Sequence, residues 1–246
     1  MTSASRSLVV LAAGLSTPSS TRMLADQLTA AVRAQLTADG APLEVHVHEL
    51  RDHAADITNA LVTRFPSASL QEVIGQVRAA DAVIAVTPIF NMGASGLFKT
   101  FLDAVEREVW RGKPVLLGAT AGTARHTLAL DLAVRPSFEY LKARVVPTTV
   151  FAAASDFGAA DATEADEAPL ADRAARAARE LAVMLAADGA ASGAAAHPAR
   201  SAEQATGDDE QAAGDAAQAA GESVARGLDP EFADFTPMGK LLGGRG

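Results

Sequence analysis

A run of hydroxyl side chains lies between a glycine and a predicted helix near the N-terminus. After Gly14 the chain carries five serine or threonine residues before the apolar spacing of a helix begins: Ser16, Thr17, Ser19, Ser20 and Thr21. Hydroxyls and main-chain N–H groups at the positive end of a helix suit a phosphate monoester. Helix capping is the simpler explanation, but one cap needs only one or two such residues. The run therefore favours phosphate binding, although it lacks both the dinucleotide pattern Gly-x-Gly-x-x-Gly and the triphosphate pattern Gly-x-x-x-x-Gly-Lys.

A second segment, residues 87–96, has the composition of a loop that lies against a flat ligand. Pro88 restricts the backbone, while Gly93 and Gly96 allow it to approach a ligand closely. Phe90 and Met92 are large apolar residues in a loop, where they could flank a flat ring. An ordinary turn is the alternative explanation for the same residues, so the segment does not by itself establish a site.

A third segment, residues 119–126, places small residues before another predicted helix. Successive main-chain N–H groups in such a stretch can form a nest for an anionic edge. Arg125 is the fixed cation of the segment, and a solvated surface charge is an equally good explanation for it. His126 is better explained as a residue at the start of the helix than as a proton donor.

The elements that must position these loops alternate along the chain between apolar runs and helical spacing. Residues 8–12, 82–86 and 114–118 are continuously apolar, residues 43–50 alternate, and residues 145–151 form a fifth run. Continuous apolar runs are typical of parallel strands covered on both faces. Helical spacing separates them, over residues 23–36, 70–77, 97–105, 128–141 (where Pro136 should kink or restart the helix) and about 164–185.

This alternation predicts an α/β fold, a doubly wound five-stranded parallel sheet in a three-layer α/β/α sandwich. In such a sheet the ligand binds beyond the carboxyl ends of the strands, where the strand order reverses. The three loops follow the first, third and fourth predicted strands. We therefore expect them to meet at one edge of the sheet.

The C-terminal quarter differs from the rest in composition. Residues 188–227 are mostly Ala, Gly, Asp, Glu, Gln and Ser, which cannot bury enough apolar surface to offset the ordering entropy. Apolar residues return in 228–246, at Phe232, Phe235, Met238, Leu241 and Leu242. We expect a folded domain over 1–187, a disordered linker over 188–227 and a docking segment over 228–246, with a frayed tail as the alternative for the last.

Charge and composition exclude several classes of protein. The chain has no cysteine, so it has no disulfide framework, thiolate nucleophile or iron–sulfur cluster. The net charge of −9 lies in residues 161–246, since residues 1–160 hold 14 basic and 14 acidic residues. No basic field is available for nucleic acid. No apolar run approaches the roughly 20 residues of a membrane helix, nor the pattern of a signal peptide, so we expect a cytoplasmic protein.

Several motifs together resemble the NADPH-dependent FMN reductase family. They are Leu11-Ala12-Ala13-Gly14 before the hydroxyl-rich turn, and Thr87-Pro88-Ile89-Phe90-Asn91 followed by Leu97-Phe98-Lys99. Residues 119–136 look like the reductases that feed alkanesulfonate monooxygenases, and the acidic linker and ending resemble actinobacterial FMN reductases paired with luciferase-like monooxygenases. The chain departs from these patterns at Ile89, where the family usually has Glu, and at Leu132, where the sulfonate-linked reductases have Tyr.

The resemblance implies a flavodoxin-like fold, FMN as cofactor and NADPH or NADH as hydride donor. By the same resemblance, the FMN phosphate would be held by Ser16, Ser19, Ser20 and Thr21. The isoalloxazine would be lined by Pro88, Ile89, Phe90, Asn91 and Met92. The pyrimidine edge would be faced by Thr120, Ala121, Gly122 and Thr123. No catalytic side chain and no metal ligand is assigned.

The expected function is an FMN reductase that passes reduced flavin to a flavin-dependent monooxygenase. A quinone, azo or chromate reductase on the same fold is one alternative. A flavodoxin-type electron carrier is another, although the chain, with one Trp and one Tyr, is poor in the aromatics that usually flank flavin in flavodoxins. We also expect a homodimer or tetramer, since the helices over 97–105 and 128–141 are apolar on more than one face and the family shares a flavin cleft between subunits.

Overall fold

The computed structural model describes residues 5–38, 42–158 and 168–195, with side chains described as far as 189. The strands of this part are β1 Arg6–Ala12, β2 Leu43–Glu49, β3 Ala82–Phe90, β4 Gly93–Ala94, β5 Pro114–Ala121, β6 Arg144–Val145 and β7 Val150–Ala153. The helices are α1 Ser20–Ala38, α2 Ala54–Thr63, α3 Ala68–Ala79, α4 Gly96–Ala104, α5 Arg107–Trp110, α6 Thr127–Ala129, α7 Arg135–Tyr140 and α8 Leu170–Ala195.

The sheet is parallel and has the order β2-β1-β3-β5-β6, with β7 also paired to β5. The strand order reverses at β1, which pairs with β2 on one side and with β3 on the other. β2 lies at the sheet edge, as its alternating sequence predicts. The predicted doubly wound parallel sheet is confirmed.

Each face of the sheet has its own apolar core, because successive side chains of a strand point to opposite faces. Val9 and Leu11 of β1 pack on one face with α3, α4 and α7. Leu8 and Val10 pack on the other face with α1 and α8. All four side chains are at most 1% exposed. The two cores make the three layers that the sequence predicts.

The fifth predicted strand, over 145–151, is instead two short pieces, β6 and β7. Both pieces pair in parallel with β5. Pro147 lies between them, and a proline has no N–H to donate to a sheet ladder. The interruption therefore follows from the sequence.

The helices differ from the expectation in several places, and one predicted feature, the restart at Pro136, is observed. α2 is an additional helix, and α8 continues to Ala195, past Asp188, where the sequence predicts the linker to begin. Its last turns are rich in alanine, the residue with the highest helix propensity. Between α6 and α7 the residues Leu130–Val134 form a π-helix, and α7 restarts with Pro136 in its first turn. The predicted restart at Pro136 is thus observed.

The remainder of the predicted linker from residue 196, and the predicted docking segment 228–246, lie outside the described residues. Within the described part, no helix combines the length and the apolar character needed to cross a bilayer.

Candidate functional site

A cleft of about 430 Å³ opens at the carboxyl ends of β1, β3 and β5, next to the point where the strand order reverses. This volume lies within the range of small-molecule sites. Ten of the described residues line the cleft, and all ten are uncharged: Leu15, Ser16, Ser20, Thr21, Pro88, Ile89, Phe90, Thr120, Ala121 and Gly122. The three loops that the sequence singled out therefore meet in one place.

The loop after β1 is packed tightly at its glycine. A Cβ atom at Gly14 would lie 2.0 Å from Ser19 Oγ and 3.1 Å from Thr21 Cβ, so the close approach requires glycine. Ser19 Oγ accepts from Arg22 N at 3.2 Å, which caps α1. Ser19 is buried, whereas Ser16 and Ser20 are exposed at the cleft. Of the predicted phosphate ligands, Ser19 is thus occupied as a helix cap.

A buried hydroxyl pair joins the first loop to the end of β5. Thr21 Oγ1 and Thr120 Oγ1 lie 2.9 Å apart, and both residues are 2% exposed. A hydroxyl donates one proton and accepts through two lone pairs. Because one proton is used within the pair, the other hydroxyl keeps its proton for a second acceptor, and both residues line the cleft.

The segment after β3 folds back as a tight hairpin onto β4. Phe90 pairs with Gly93, and the two residues between them, Asn91 and Met92, have φ of 50° and 64°. Two consecutive positive φ values characterise the type I′ turn that matches strand twist. Phe90 is 47% and Met92 53% exposed, so the hairpin presents two large apolar side chains to solvent.

Buried polar groups hold the base of this hairpin. Ser95 N donates to Thr87 Oγ1 at 3.1 Å and to the Pro88 carbonyl at 3.1 Å. Ser95 Oγ then caps α4 by accepting from Phe98 N at 3.3 Å. Thr87 and Ser95 are fully buried. These hydrogen bonds therefore fix the backbone at Pro88, which lines the cleft.

Only the first part of the third loop lines the cleft. Ala121 ends β5, and the exposed Gly122 follows it at the cleft. Thr123 leads away from the cleft into a 3₁₀ helix over Ala124–His126. Arg125 is exposed and does not line the cleft. An added Cβ at Gly122 would meet no other described atom within 4 Å, so the edge there is open.

Nine of the thirteen predicted site residues line the cleft. The four that do not are Ser19, Asn91, Met92 and Thr123. Ile89 borders the cleft but is only 6% exposed, because its side chain belongs to the apolar core. Leu15, 55% exposed, lines the cleft and was not predicted. The sequence feature that could have indicated it is its position, as an apolar residue between Gly14 and the hydroxyl run.

An ion-pair cluster beside the first loop was also missed. Arg51, from the turn after β2, donates to the carbonyl of Ser16 and to Thr17 Oγ1. Glu49, at the end of β2, accepts from Arg51 and from Arg22. This cluster follows the second strand, whereas the three loops predicted to contact the ligand follow the first, third and fourth predicted strands.

The fold and the position of the cleft define a flavodoxin-like α/β protein, a class that binds its ligand at the strand-order reversal. The family model "NADPH-dependent FMN reductase" matches residues 7–158, and the chain belongs to that family. It is therefore an oxidoreductase that reduces FMN with a nicotinamide donor.

Relatives and solved structures agree with this assignment. The FMN reductase (NADPH) of Pseudomonas aeruginosa is 33% identical over 150 residues, which are 61% of this chain and 78% of that protein. The NADH-dependent FMN reductase SfnF of Pseudomonas putida is 31% identical over 150 residues, which are again 61% of this chain and 78% of that protein. The X-ray structure of an oxidoreductase from Corynebacterium diphtheriae is 43% identical with a TM-score of 0.68, covering 74% of this chain and 98% of that one. Both NADPH and NADH occur as donors among the relatives.

Proposed function

We propose that this FMN reductase binds FMN in the cleft and supplies reduced FMN to a separate flavin-dependent monooxygenase. The observation that carries the proposal is the composition of the cleft. It combines exposed hydroxyls at the start of α1 with the exposed apolar ring of Phe90. A phosphate ester and a flat ring are the two ends of FMN, and the two parts of the cleft match them.

The first loop has the donors that a phosphate needs. The Ser20 hydroxyl would bind phosphate oxygens, together with N–H groups of the first turn of α1, which have no partner within the helix. The Ser16 hydroxyl donates to the Pro18 carbonyl, so it would have to turn from that carbonyl to donate to the phosphate. The spare proton of the Thr21–Thr120 pair adds a further donor. The close approach at Gly14 brings the loop backbone against the helix start, where these donors converge.

The hairpin and the end of β5 would hold the ring. Pro88 and Phe90 offer apolar surface, while Ala121 and Gly122 offer main chain at an edge with little side-chain cover. FMN held there would supply the redox chemistry of hydride transfer, with the nicotinamide as donor. The protein supplies binding and orientation, and no side chain need act as an acid.

The acceptor is inferred from the resemblance of residues 119–136 and of the C-terminal sequence to reductases that feed monooxygenases.

We further propose that the chain acts in the cytoplasm as a homodimer or tetramer. Leu128 and Leu132, 65% and 72% exposed on one helical segment, offer apolar surface for a second subunit. Phe98, Phe101, Leu102 and Val105 are instead buried within the protomer, so the apolar character of α4 does not itself argue for a dimer. Light scattering at micromolar concentration tests the oligomer, and a monomer would contradict it.

Flavin binding tests the proposed site. Ser20→Ala should weaken FMN binding by about 1.5–3 kcal/mol, the contribution of one hydrogen bond to a charged group, and leave riboflavin binding almost unchanged. The dissociation constants of both flavins are measured by fluorescence titration. Ser69→Ala, an exposed serine in α3, is the matched control and should change neither constant. Equal losses for FMN and riboflavin would place the phosphate elsewhere.

Steady-state oxidation of the nicotinamide donor tests which electron acceptor the protein uses. With NADH or NADPH in excess, the proposal expects faster donor oxidation with FMN than with menadione. Adding a luciferase-like monooxygenase and its substrate should give product in proportion to donor oxidised. Preference for menadione over FMN would instead support a quinone reductase. Absence of donor oxidation with FMN would support an electron carrier.

A further inference from the structure

The exposed part of the first loop is tied down from outside by one arginine. Residues 15–18 are exposed, and Ser16 Oγ donates to the Pro18 carbonyl at 3.0 Å within the loop. Arg51 Nη1 donates to the Ser16 carbonyl at 2.8 Å and to Thr17 Oγ1 at 2.6 Å. Arg51 itself is placed by its neighbour Leu50, which is fully buried in the core. The arginine thus connects an exposed loop to a part of the chain that is anchored in the core.

One carboxylate joins this arginine to the other end of the loop. Arg51 Nη2 lies 2.7 Å from Glu49 Oε2, and Arg22 Nη1 lies 3.1 Å from Glu49 Oε1. The backbone N–H of Arg22 donates to Ser19 Oγ, the cap at the end of the loop. Hydrogen bonds to Asp26 and Glu49 raise the pKa of Arg22, so its charge is maintained. Arg51, Glu49 and Arg22 therefore form a clamp. Glu49 joins Arg51, which bonds Ser16 and Thr17, to Arg22, whose backbone N–H bonds Ser19.

We propose that this clamp is a specificity determinant: it positions the first loop for a phosphate and so makes the protein prefer FMN to riboflavin. The inference rests on the proposed function, which puts the FMN phosphate at this loop. None of the three residues lines the cleft, so they act as positioning residues through the loop. Glu49 is the central member, because both arginines bond to it.

Positioning and simple charge attraction predict opposite results at Glu49. If the arginines acted only as positive charges near a phosphate, removing the negative charge of Glu49 would strengthen FMN binding. If the clamp acts by holding the loop, the same change would loosen Arg51 from Arg22, which keeps its bond to Asp26, and would weaken FMN binding. Glu49→Gln keeps the size of the side chain and separates the two explanations by the sign of the effect.

The experiment titrates FMN and riboflavin fluorescence with the full chain and its variants. Glu49→Gln should raise the dissociation constant for FMN on the order of tenfold and leave that for riboflavin within about twofold, as expected for charge-assisted hydrogen bonds at partly exposed groups. Glu106→Gln is the matched control, with the same charge change at an exposed pair with Arg78 far along the chain from the loop. It should change neither constant.

Two further measurements separate positioning from general destabilisation. Arg51→Gln should weaken FMN binding as Glu49→Gln does, and the double variant should be little worse than either, because both break one clamp. In the flavin-free protein, amide hydrogen exchange at Arg22, whose N–H donates to Ser19 Oγ, should be faster in Glu49→Gln, while β1 amides keep their protection.

Tighter FMN binding by Glu49→Gln, additive losses in the double variant, or unchanged exchange at the Arg22 amide would overturn the clamp. The Ser20→Ala result distinguishes this failure from failure of the proposed site. If Ser20→Ala weakens FMN alone and Glu49→Gln has no effect, the phosphate site stands and the clamp is wrong. If Ser20→Ala affects both flavins equally, the site assignment fails and the clamp fails with it.

Discussion

Replacing Gly14 with alanine tests the close packing on which the first loop depends. The new Cβ atom would lie 2.0 Å from Ser19 Oγ, and 3.1–3.2 Å from the Cβ atoms of Thr21 and Ser19. The first distance is impossible, so the Ser19 side chain must move. Ser19 Oγ would then leave Arg22 N, which it now caps at 3.2 Å.

The cost has two parts. Loss of the cap costs about 1 kcal/mol. Crowding of the two remaining Cβ contacts, at a buried position, adds about 1–3 kcal/mol. We expect Gly14→Ala to lower the free energy of unfolding by about 2–4 kcal/mol, which for a domain of this size lowers the melting temperature by about 5–15 °C.

A double-mutant cycle identifies the clash as the cause. Ser19→Ala alone should cost about 1 kcal/mol, since it removes only the cap. Combined with Gly14→Ala, it removes the atom that clashes, so the double variant should be at least about 1 kcal/mol more stable than the sum of the single effects predicts. Unfolding in urea measures all three variants.

Gly75→Ala is the control, because its Cβ would meet no other described atom within 4 Å and it lies in the exposed middle of α3. It should stabilise the protein by about 0.5–1 kcal/mol through helix propensity. If Gly14→Ala were as stable as the wild type, the packing argument would be refuted. It would also be refuted if the effects of Gly14→Ala and Ser19→Ala on the free energy of unfolding were additive. FMN titration of the folded variant should also show weaker binding, since the loop must shift.

Two other predictions concern stability. Burial lowers the pKa of His48 below its usual 6.5, and His48 Nε2 bonds Gln76 Oε1 at 2.7 Å. Because the unfolded state then takes up a proton at higher pH than the folded state, the stability associated with His48 is present above pH 6.5 and is lost as pH falls through the lower folded pKa. His48→Gln should therefore lose less stability than the wild type between about pH 7.5 and pH 5.5 in urea unfolding; an equal loss would contradict this. Met92 has a φ of 64°, which disfavours a side chain, so Met92→Gly should raise the free energy of unfolding by about 0.5–1 kcal/mol, and a loss would contradict the strain.

The sheet could be predicted because a buried parallel strand is apolar at every position. β1, β3 and β5 are each covered on both faces, and their continuous apolar runs follow from that environment. The loops at their ends could be predicted as well, since the position of a ligand in such a sheet follows from its topology. The split of the last strand is less visible in the sequence, because apolar residues lie on both sides of Pro147.

Which of several hydroxyls reaches the cleft could not be predicted. Five such residues follow one another, and Ser19 turns inward only because Gly14 leaves room for its Oγ. Asn91 and Met92 were expected at the cleft, but the hairpin turn carries them past it. These outcomes depend on backbone conformation at single residues. The clamp residue Arg51 is 35 positions from Ser16, and such a contact has no local sequence signal.

The uncharged lining of the cleft bears on how a flavin would leave it. An anchor on the phosphate binds the oxidised and the reduced flavin equally, because the phosphate is separate from the ring that changes. Such uniform binding lowers both dissociation constants without favouring one redox state. A fixed positive charge at the ring would favour the reduced, negatively charged form, but the described residues from the hairpin and β5 that line the cleft are Pro88, Ile89, Phe90, Thr120, Ala121 and Gly122. None of these side chains carries a charge, so a preference for the reduced ring would come from main-chain N–H groups such as that of Gly122 and not from an ion pair, which agrees with the proposal that reduced FMN passes to another protein.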